Sequence, residues 1–195
     1  MKRFAIIASL VLTVFTFALM NTADASIAIG EKMGDFTLSD TNGAQQSLNA
    51  LKGSNGAVVV FLSSQCPVVK GYNERINQMA ADYAAKGINF IGINSNSTES
   101  LATVKAHAAE HYKFPVLIDK ENKIADRLGA YATPEVFYID KENVLLYHGA
   151  IDDDKYGKTI TKPYLKAAFD ESLAGKKIEK TTTNAIGCSI KRVGE

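Results

Sequence analysis

The chain has 195 residues, 46% of them hydrophobic, and a formal net charge of +1. This length supports one well-packed domain and is too short for two comfortable ones. A charge so close to zero argues against a nucleic-acid partner, which would require a basic face. Only two cysteines are present, so the fold must rest on its apolar core and not on a disulfide scaffold.

The N-terminus has the pattern of a secretory signal peptide. Basic residues precede a predominantly apolar run over 4–20, and a short polar stretch ends in Ala23-Asp24-Ala25. The small residues suit cleavage by a signal peptidase. An uncleaved anchor is the alternative, but the run falls just below the length of about 18 residues expected of a spanning helix. We predict a signal peptide over 1–25 and a single mature domain over 26–195.

Cleavage would remove two basic residues and one acidic residue and leave a formal charge near zero. We expect an exported protein, periplasmic or extracellular, with no stable membrane association once the signal peptide is gone. Cys66 and Cys188 both remain in the mature chain. Because disulfides form and persist in such compartments, these two cysteines are candidates to pair.

The mature chain alternates between predicted strands and helices. An entry hairpin over 34–51 turns at Asn42-Gly43, and the continuous apolar run over 57–62 predicts a central strand covered on both faces. The later predicted elements are a helix over 67–85, a strand over 88–94, a helix over 98–112, a strand over 115–118, a helix over 122–128, a hairpin over 135–147 and a helix over 163–173. A polar tail over 175–195 follows. The alternation predicts a partly parallel sheet flanked by helices.

Cys66 lies where the central strand passes into the first long helix. Pro67 follows it and suits the first helical position, where a missing amide donor costs nothing. A helix N-terminus offers free backbone amides and a partial positive charge, which favour thiolate over thiol. This placement predicts a nucleophilic cysteine. The alternative is a small buried hydrophobic residue, since free cysteine packs well in cores.

Three segments resemble the thioredoxin-like superfamily, particularly the exported redoxins of the AhpC/TSA, or peroxiredoxin-like, group. They are the segment FLSSQCPVV over 61–69, the segment GDFTLSD over 34–40 and the segment ATPEVF over 132–137. The likeness extends over about 34–173. It implies an α/β thioredoxin-like fold with a central mixed sheet flanked by helices and an N-terminal β-hairpin extension.

The resemblance also implies roles for individual residues. Pro134 corresponds to the cis-proline of thioredoxins, which would lie beside Cys66 and shape the substrate groove. A cis bond there would expose the backbone of Thr133 to an extended peptide or a mixed-disulfide partner. Ser63 and Pro67 are the other predicted substrate contacts. An ordinary trans proline at the start of a strand is the alternative.

Two departures from the resembled families bear on the reaction. A thioredoxin dithiol motif would place its second cysteine at Val69, so the local resolving thiol is absent. Peroxiredoxins carry a proline and a threonine at the positions of Val59 and Ser63, and an arginine shortly before the strand at Val136. Serine can supply the hydroxyl of threonine, but valine cannot replace the proline. The pattern therefore favours thioredoxin-type chemistry over a true peroxidase.

Cys188 lies in a short apolar patch of the tail, which suggests that this piece docks on the body of the domain. In one interpretation it is a distal resolving thiol for Cys66. In a second the two form a permanent latch, and in a third Cys188 is free or pairs between subunits. An intramolecular bond requires Cα atoms within about 7 Å.

The three histidines do not predict a metal site. His107 and His111 are four residues apart on a predicted helix, but no third ligand is placed to complete a site. Surface solvation is the preferred interpretation for this pair. His148 precedes an acidic run over 152–154, which is interpreted as a solvated turn beside the active face. We predict neither a metal nor another cofactor.

The leading hypothesis is an exported thiol oxidoreductase that uses Cys66 as its nucleophile, Pro134 to shape the groove and Cys188 to resolve the oxidised state. Its partners would be protein or low-molecular-weight thiols and disulfides. A weak thiol peroxidase that acts on peroxide is one alternative. A non-catalytic binding protein with a Cys66–Cys188 latch is the other.

Overall fold

A computed structural model describes residues 26–194, so the predicted signal peptide lies outside the described residues. The strands are β1 (Thr37–Asp40), β2 (Gln45–Ser47), β3 (Gly56–Phe61), β4 (Ile88–Asn94), β5 (Val116–Ile118), β6 (Ala132–Thr133), β7 (Glu135–Ile139), β8 (Leu145–Gly149) and β9 (Cys188–Ser189). The helices are α1 (Leu48–Leu51), α2 (Pro67–Ala84), α3 (Leu101–His111), α4 (Lys123–Leu128) and α5 (Tyr164–Leu173).

Seven of the strands form one mixed sheet in the order β2-β1-β5-β4-β3-β7-β8. Strands β3, β4 and β5 run parallel, while the pairs β1–β2, β1–β5, β3–β7 and β7–β8 are antiparallel. The predicted α/β architecture is confirmed, and the N-terminal hairpin is the β1–β2 pair at one edge of the sheet. Strands β6 and β9 form a separate two-stranded pair.

Strand β3 lies at the centre because its side chains are apolar on both faces. Val58 and Val60 pack into one apolar cluster with residues of α2, α3 and α5. Val59 and Phe61 pack into the opposite cluster, which includes residues of α1 and α4. This double coverage holds the end of β3 rigidly, and the chain leaves β3 directly into the Cys66 segment.

Local capping explains most differences between predicted and observed boundaries. Helix α3 begins at Leu101, three residues later than predicted, because Ser100 caps it by accepting a hydrogen bond from the Thr103 amide at 3.2 Å. Helix α5 begins at Tyr164, directly after Pro163. The short helix α1 and the β6–β9 pair were not predicted, since each is too short to produce a periodic pattern.

Among residues 26–194, no helix combines the length and the apolar character needed to cross a membrane.

Candidate functional site

The Cys66 segment forms the turn between β3 and α2. Cys66 is the N-cap residue of α2 with extended backbone angles, and Pro67 occupies the first turn as predicted. The Cys66 side chain accepts no capping hydrogen bond. The amides of Val68 and Val69 lie in the first turn, where no intrahelical acceptor is available. The N-terminus of α2 also carries a partial positive charge, which favours negative charge on a residue at this position.

Ser63 holds this turn in shape through its hydroxyl group. Its Oγ accepts hydrogen bonds from the amides of Gln65 at 3.2 Å and Cys66 at 3.1 Å. The same hydroxyl donates to the carboxylate of Glu99. Ser63 is buried, so its hydroxyl is engaged within the loop in this form of the protein.

Glu99 joins the Cys66 segment to the region just before α3. Its carboxylate accepts hydrogen bonds from the Ser64 amide at 2.9 Å and the Asn94 side-chain amide at 3.0 Å. It also accepts hydrogen bonds from the hydroxyl groups of Ser63 and Ser64. Sequence reasoning missed this residue because no motif marks it. Its importance comes from contacts with residues 35 and 36 positions earlier in the chain.

The Thr133–Pro134 bond is cis, as the resemblance implied. The Cys66 Sγ lies 3.3 Å from the carbonyl oxygen of Thr133, so the proline loop and the N-terminus of α2 meet at the sulfur. Thr133 itself is 0% exposed. Its backbone is therefore covered in this form of the protein, and the reason is the C-terminal tail.

Glu135, the residue after the cis-proline, stabilises the proline loop from within. It is 1% exposed, and its Oε2 accepts hydrogen bonds from the amides of Tyr131 at 2.8 Å and Ala132 at 3.1 Å. Burial raises the pKa of this carboxyl above its ordinary value, against the lowering effect of the two amide hydrogen bonds. The sequence did not reveal this acceptor role of Glu135, because there the residue was predicted only as the first residue of a strand.

Replacing Glu135 with glutamine should reduce the pH dependence of stability. A raised folded-state pKa gives stability that is fully present below the unfolded value, near 4.5, and is lost as the pH rises through the folded pKa. Glutamine keeps an oxygen for both amides but cannot ionise. The free energy of unfolding, measured by urea titration, should therefore increase for Glu135→Gln relative to the wild type as the pH rises through this range.

The matched control for this measurement is Glu110→Gln, since the Glu110 side chain is 75% exposed. Its stability curve should run parallel to that of the wild type. A difference between Glu135→Gln and the wild type that stays constant with pH would contradict a raised pKa at Glu135.

The C-terminal tail brings the second cysteine to the site. Strand β9 pairs with β6 in antiparallel fashion, with Thr133 opposite Cys188 and Ala132 opposite Ser189. Cys66 and Cys188 form a disulfide with their Cα atoms 6.0 Å apart, although 122 positions separate them. Cys188 is therefore bonded to Cys66 of the same chain, and the interpretation that it is free or pairs between subunits is not supported. The structure also shows the docking of the tail that its apolar patch predicted.

Gly187 makes this docking sterically possible. A Cβ atom at this position would lie 2.0 Å from the carbonyl oxygen of Thr133. The next apolar tail residue, Ile190, is buried in the core and donates its amide to the carbonyl of Tyr131 at 3.0 Å. The tail backbone therefore lies directly against the backbone of the proline loop.

The histidines are more buried than expected. His107 and His111 are half-buried, and their rings lie 4.6 Å apart in an edge-on arrangement. Burial, reinforced by the neighbouring His111, lowers the pKa of His107. His148 stacks on Phe137 at 5.5 Å, and burial lowers its pKa as well. Within residues 26–194, no group of three or more His, Cys, Asp or Glu side chains is arranged to hold a metal ion.

The acidic run is only partly the solvated turn that the sequence suggested. Asp152 is 4% exposed and accepts a hydrogen bond from the Tyr72 hydroxyl at 2.7 Å. It also forms an ion pair with Arg75 at 2.5 Å. A charged residue can be buried here because its partners come from α2, which the local sequence does not reveal. Asp153 and Asp154 instead accept backbone amides within the exposed loop.

Comparison with known proteins identifies the family. Residues 29–148, more than half of the chain, match the AhpC/TSA family. The chain belongs to the AhpC/TSA family. Thioredoxin-like proteins of known structure share its fold.

Its relatives include a putative peroxiredoxin and a thiol-disulfide oxidoreductase. The chain is 25% identical over 143 residues to a putative peroxiredoxin of Mycobacterium tuberculosis (strain CDC 1551 / Oshkosh), covering 73% of this chain and 88% of that protein. It is 30% identical over 115 residues to the thiol-disulfide oxidoreductase ResA of Bacillus thuringiensis (strain Al Hakam), covering 58% and 65%. A hypothetical protein of Sinorhizobium meliloti 1021 matches in structure with a TM-score of 0.79 and 37% identity, over 88% of this chain and 98% of that one.

Proposed function

We propose that this AhpC/TSA family member is an exported thiol–disulfide oxidoreductase, with Cys66 as its nucleophile and Cys188 as its resolving thiol. One observation supports this above all. Cys66 lies at the N-terminus of α2, and its sulfur is bonded to that of Cys188 beside the cis-proline loop. A cysteine pair that includes a helix N-terminus is suited to reversible exchange.

The exchange proceeds in two substitutions at sulfur. The Cys66 thiolate attacks a substrate disulfide, forms a mixed disulfide and releases one substrate thiolate. The Cys188 thiolate then attacks the Cys66 sulfur, forms the Cys66–Cys188 bond and releases the second thiolate. The protein loses two electrons and the substrate disulfide gains them. No cofactor is required, because the sulfur pair carries both electrons.

Regeneration of the reduced protein begins at Cys188. Cys66 is 2% exposed, whereas Cys188 is half-buried with exposed neighbours on both sides. A donor thiolate therefore reaches the Cys188 sulfur first. Cys66 is also the better leaving group, since the first turn of α2 stabilises its thiolate.

The remaining site residues support this chemistry. Pro134 and Thr133 shape the surface beside the sulfur pair, Pro67 begins the helix that activates Cys66, and Ser63 fixes the turn. We assign the protein to the periplasm or the extracellular space from its N-terminal sequence pattern and from a disulfide of the kind that persists there. Its partners are thiols and disulfides.

A peroxidase function has less support. The Ser63 hydroxyl, at the position of the peroxiredoxin threonine, is engaged with Glu99 and with the loop amides. Val59, at the position of the peroxiredoxin proline, is buried in the sheet centre. The single hydroxyl proton of Ser63 is therefore donated to Glu99 and not to a peroxide.

Titration of the Cys66 thiol tests the proposal. In a Cys188→Ser variant, the rate of alkylation by iodoacetamide should follow a pKa below the value of about 8.5 for free cysteine, because the α2 N-terminus stabilises the thiolate. The doubly substituted variant, Cys66→Ser with Cys188→Ser, is the control and should not be alkylated. A pKa at or above the free value would contradict a nucleophilic role for Cys66.

A further inference from the structure

The C-terminal residues 181–193, which we name the strap, cross the active end of the sheet and are attached on both sides of the disulfide. On one side, the His148 amide donates to the Thr181 carbonyl at 3.0 Å, and the Thr183 amide donates to the His148 carbonyl at 3.1 Å. On the other side, Ile190 is buried and bonded to Tyr131 at 3.0 Å. These contacts do not depend on the bond between the sulfurs.

Two further contacts hold the end of the strap. The Ser97 amide donates to the Lys191 carbonyl at 2.9 Å, and the Val193 amide donates to the Asn122 side chain at 2.9 Å. The strap is therefore held at three places outside the sulfur pair. None of these attachments involves the sulfur pair, so reduction frees only the segment of the strap between Thr183 and Ile190.

The middle of the strap occupies the backbone edge beside the cis-proline. Cys188 lies opposite Thr133 in the β6–β9 pair, and Gly187 approaches so closely that no side chain fits between the two backbones. An extended polypeptide can pair with an exposed edge of this kind by adding a strand. Here the edge is already filled by the protein's own chain.

We propose that the strap excludes polypeptide substrates from Cys66, so that its oxidants are low-molecular-weight disulfides, and that Gly187 is the residue that determines this selectivity. This inference rests on the proposed function and specifies its substrate class. In the reduced protein a small disulfide needs only a local displacement of the Cys188 side chain to reach the buried Cys66 sulfur, whereas an extended peptide must displace the strap backbone from Thr133. The reaction is the mixed-disulfide step already described, with a small disulfide as the electron acceptor.

The test compares two disulfides in a Cys188→Ser background, where Cys66 is the only thiol. The small probe is 2-hydroxyethyl disulfide. The peptide probe is the disulfide-linked dimer of the peptide AIGCSIK, which is the sequence of residues 185–191 and fits the occupied edge best. Each rate is divided by the rate of the same probe with free cysteine, which removes the intrinsic reactivity of the probe.

The normalised rate with 2-hydroxyethyl disulfide should exceed that with the peptide by about tenfold or more, since strap displacement breaks main-chain hydrogen bonds. Adding Gly187→Ala forces the strap away from Thr133, so the normalised rate with the peptide should rise by about tenfold relative to that with 2-hydroxyethyl disulfide. Ile186→Ala is the matched control, because the Ile186 side chain is exposed and the substitution adds no atoms between the strap and the proline loop. It should leave the ratio of the two rates unchanged.

Equal normalised rates for the two probes in Cys188→Ser would overturn the strap proposal and leave the proposed function intact. This comparison does not require the Gly187→Ala variant to fold. A folded Gly187→Ala variant, checked by circular dichroism, that leaves the peptide rate unchanged would overturn the role of Gly187. If Cys66 reacts with both probes no faster than free cysteine, the proposed function fails, and the strap proposal fails with it.

Discussion

Replacing Cys66 with serine will reduce the turnover of 2-hydroxyethyl disulfide, with a dithiol as electron donor, to the uncatalysed rate. Serine keeps the shape of the N-cap residue but has no thiolate, and the thiolate is the nucleophile in disulfide exchange. The remaining thiol, Cys188, lies on the strap and outside any helix, so it lacks the stabilisation that a helix N-terminus provides. The measurement is the rate of appearance of the product thiol.

Replacing Cys188 with serine, and mixing the reduced variant with 2-hydroxyethyl disulfide in the absence of the dithiol donor, distinguishes the two roles. Cys66 should still release one equivalent of product thiol per protein molecule in a first, rapid phase, and the protein should then accumulate as a mixed disulfide that mass spectrometry detects. Ser189→Ala is the control, because it lies beside Cys188 in β9 and carries no thiol. Full turnover by Cys66→Ser, or the absence of a mixed disulfide in Cys188→Ser, would contradict the assignment.

Reduction of the Cys66–Cys188 bond will lower the free energy of unfolding by about 5 kcal/mol, on the chain-entropy description of a closed loop of this length. The bond joins residues 122 positions apart, so it removes many conformations from the unfolded chain. Denaturant titrations of the oxidised and reduced protein measure the difference. Cys188→Ser should match the reduced protein and should not respond to reductant.

The ease with which the Cys66–Cys188 bond is reduced distinguishes an oxidoreductase from a binding protein with a permanent latch. An exchanging disulfide should be reduced by a moderate thiol reductant, whereas a permanent structural bond resists the glutathione pool. Reduction by a buffer of reduced glutathione, with recovery on addition of a small disulfide, is the expected result. A bond that stays intact under these conditions would favour a binding protein stabilised by a latch.

Two buried or half-buried carboxylates explain how the candidate site around Cys66 keeps its shape. Glu99 binds the loop before Cys66, and Glu135 binds the loop before Pro134. Each satisfies backbone amides that would otherwise be buried without acceptors, which is costly. The two loops meet at the Cys66 sulfur, so their rigidity determines where the sulfur lies relative to Cys188.

The central strand and the first long helix could be predicted because their patterns are local. Residues 57–62 are apolar on both faces and predict a buried strand, while the regular spacing of apolar residues after Pro67 predicts α2. The position of Cys66 at the helix N-terminus follows from these two elements together. The acceptor roles of Glu99 and Glu135 could not be predicted, because they depend on backbone amides brought close only by folding.

The amino-acid sequence alone determined the α/β order of elements and the position of Cys66 at the start of a helix, because hydrophobic periodicity and the preference of proline for the first helical turn act over a few neighbouring residues. The cis-proline was expected from the resemblance of residues 132–137 to the thioredoxin segment. Only the tertiary structure decided that Cys188 lies against Thr133, that the strap covers the backbone edge of the cis-proline loop and that Asp152 is buried against Arg75. Contacts between residues far apart in the chain leave no periodic pattern in it. They arise from the packing of the whole domain.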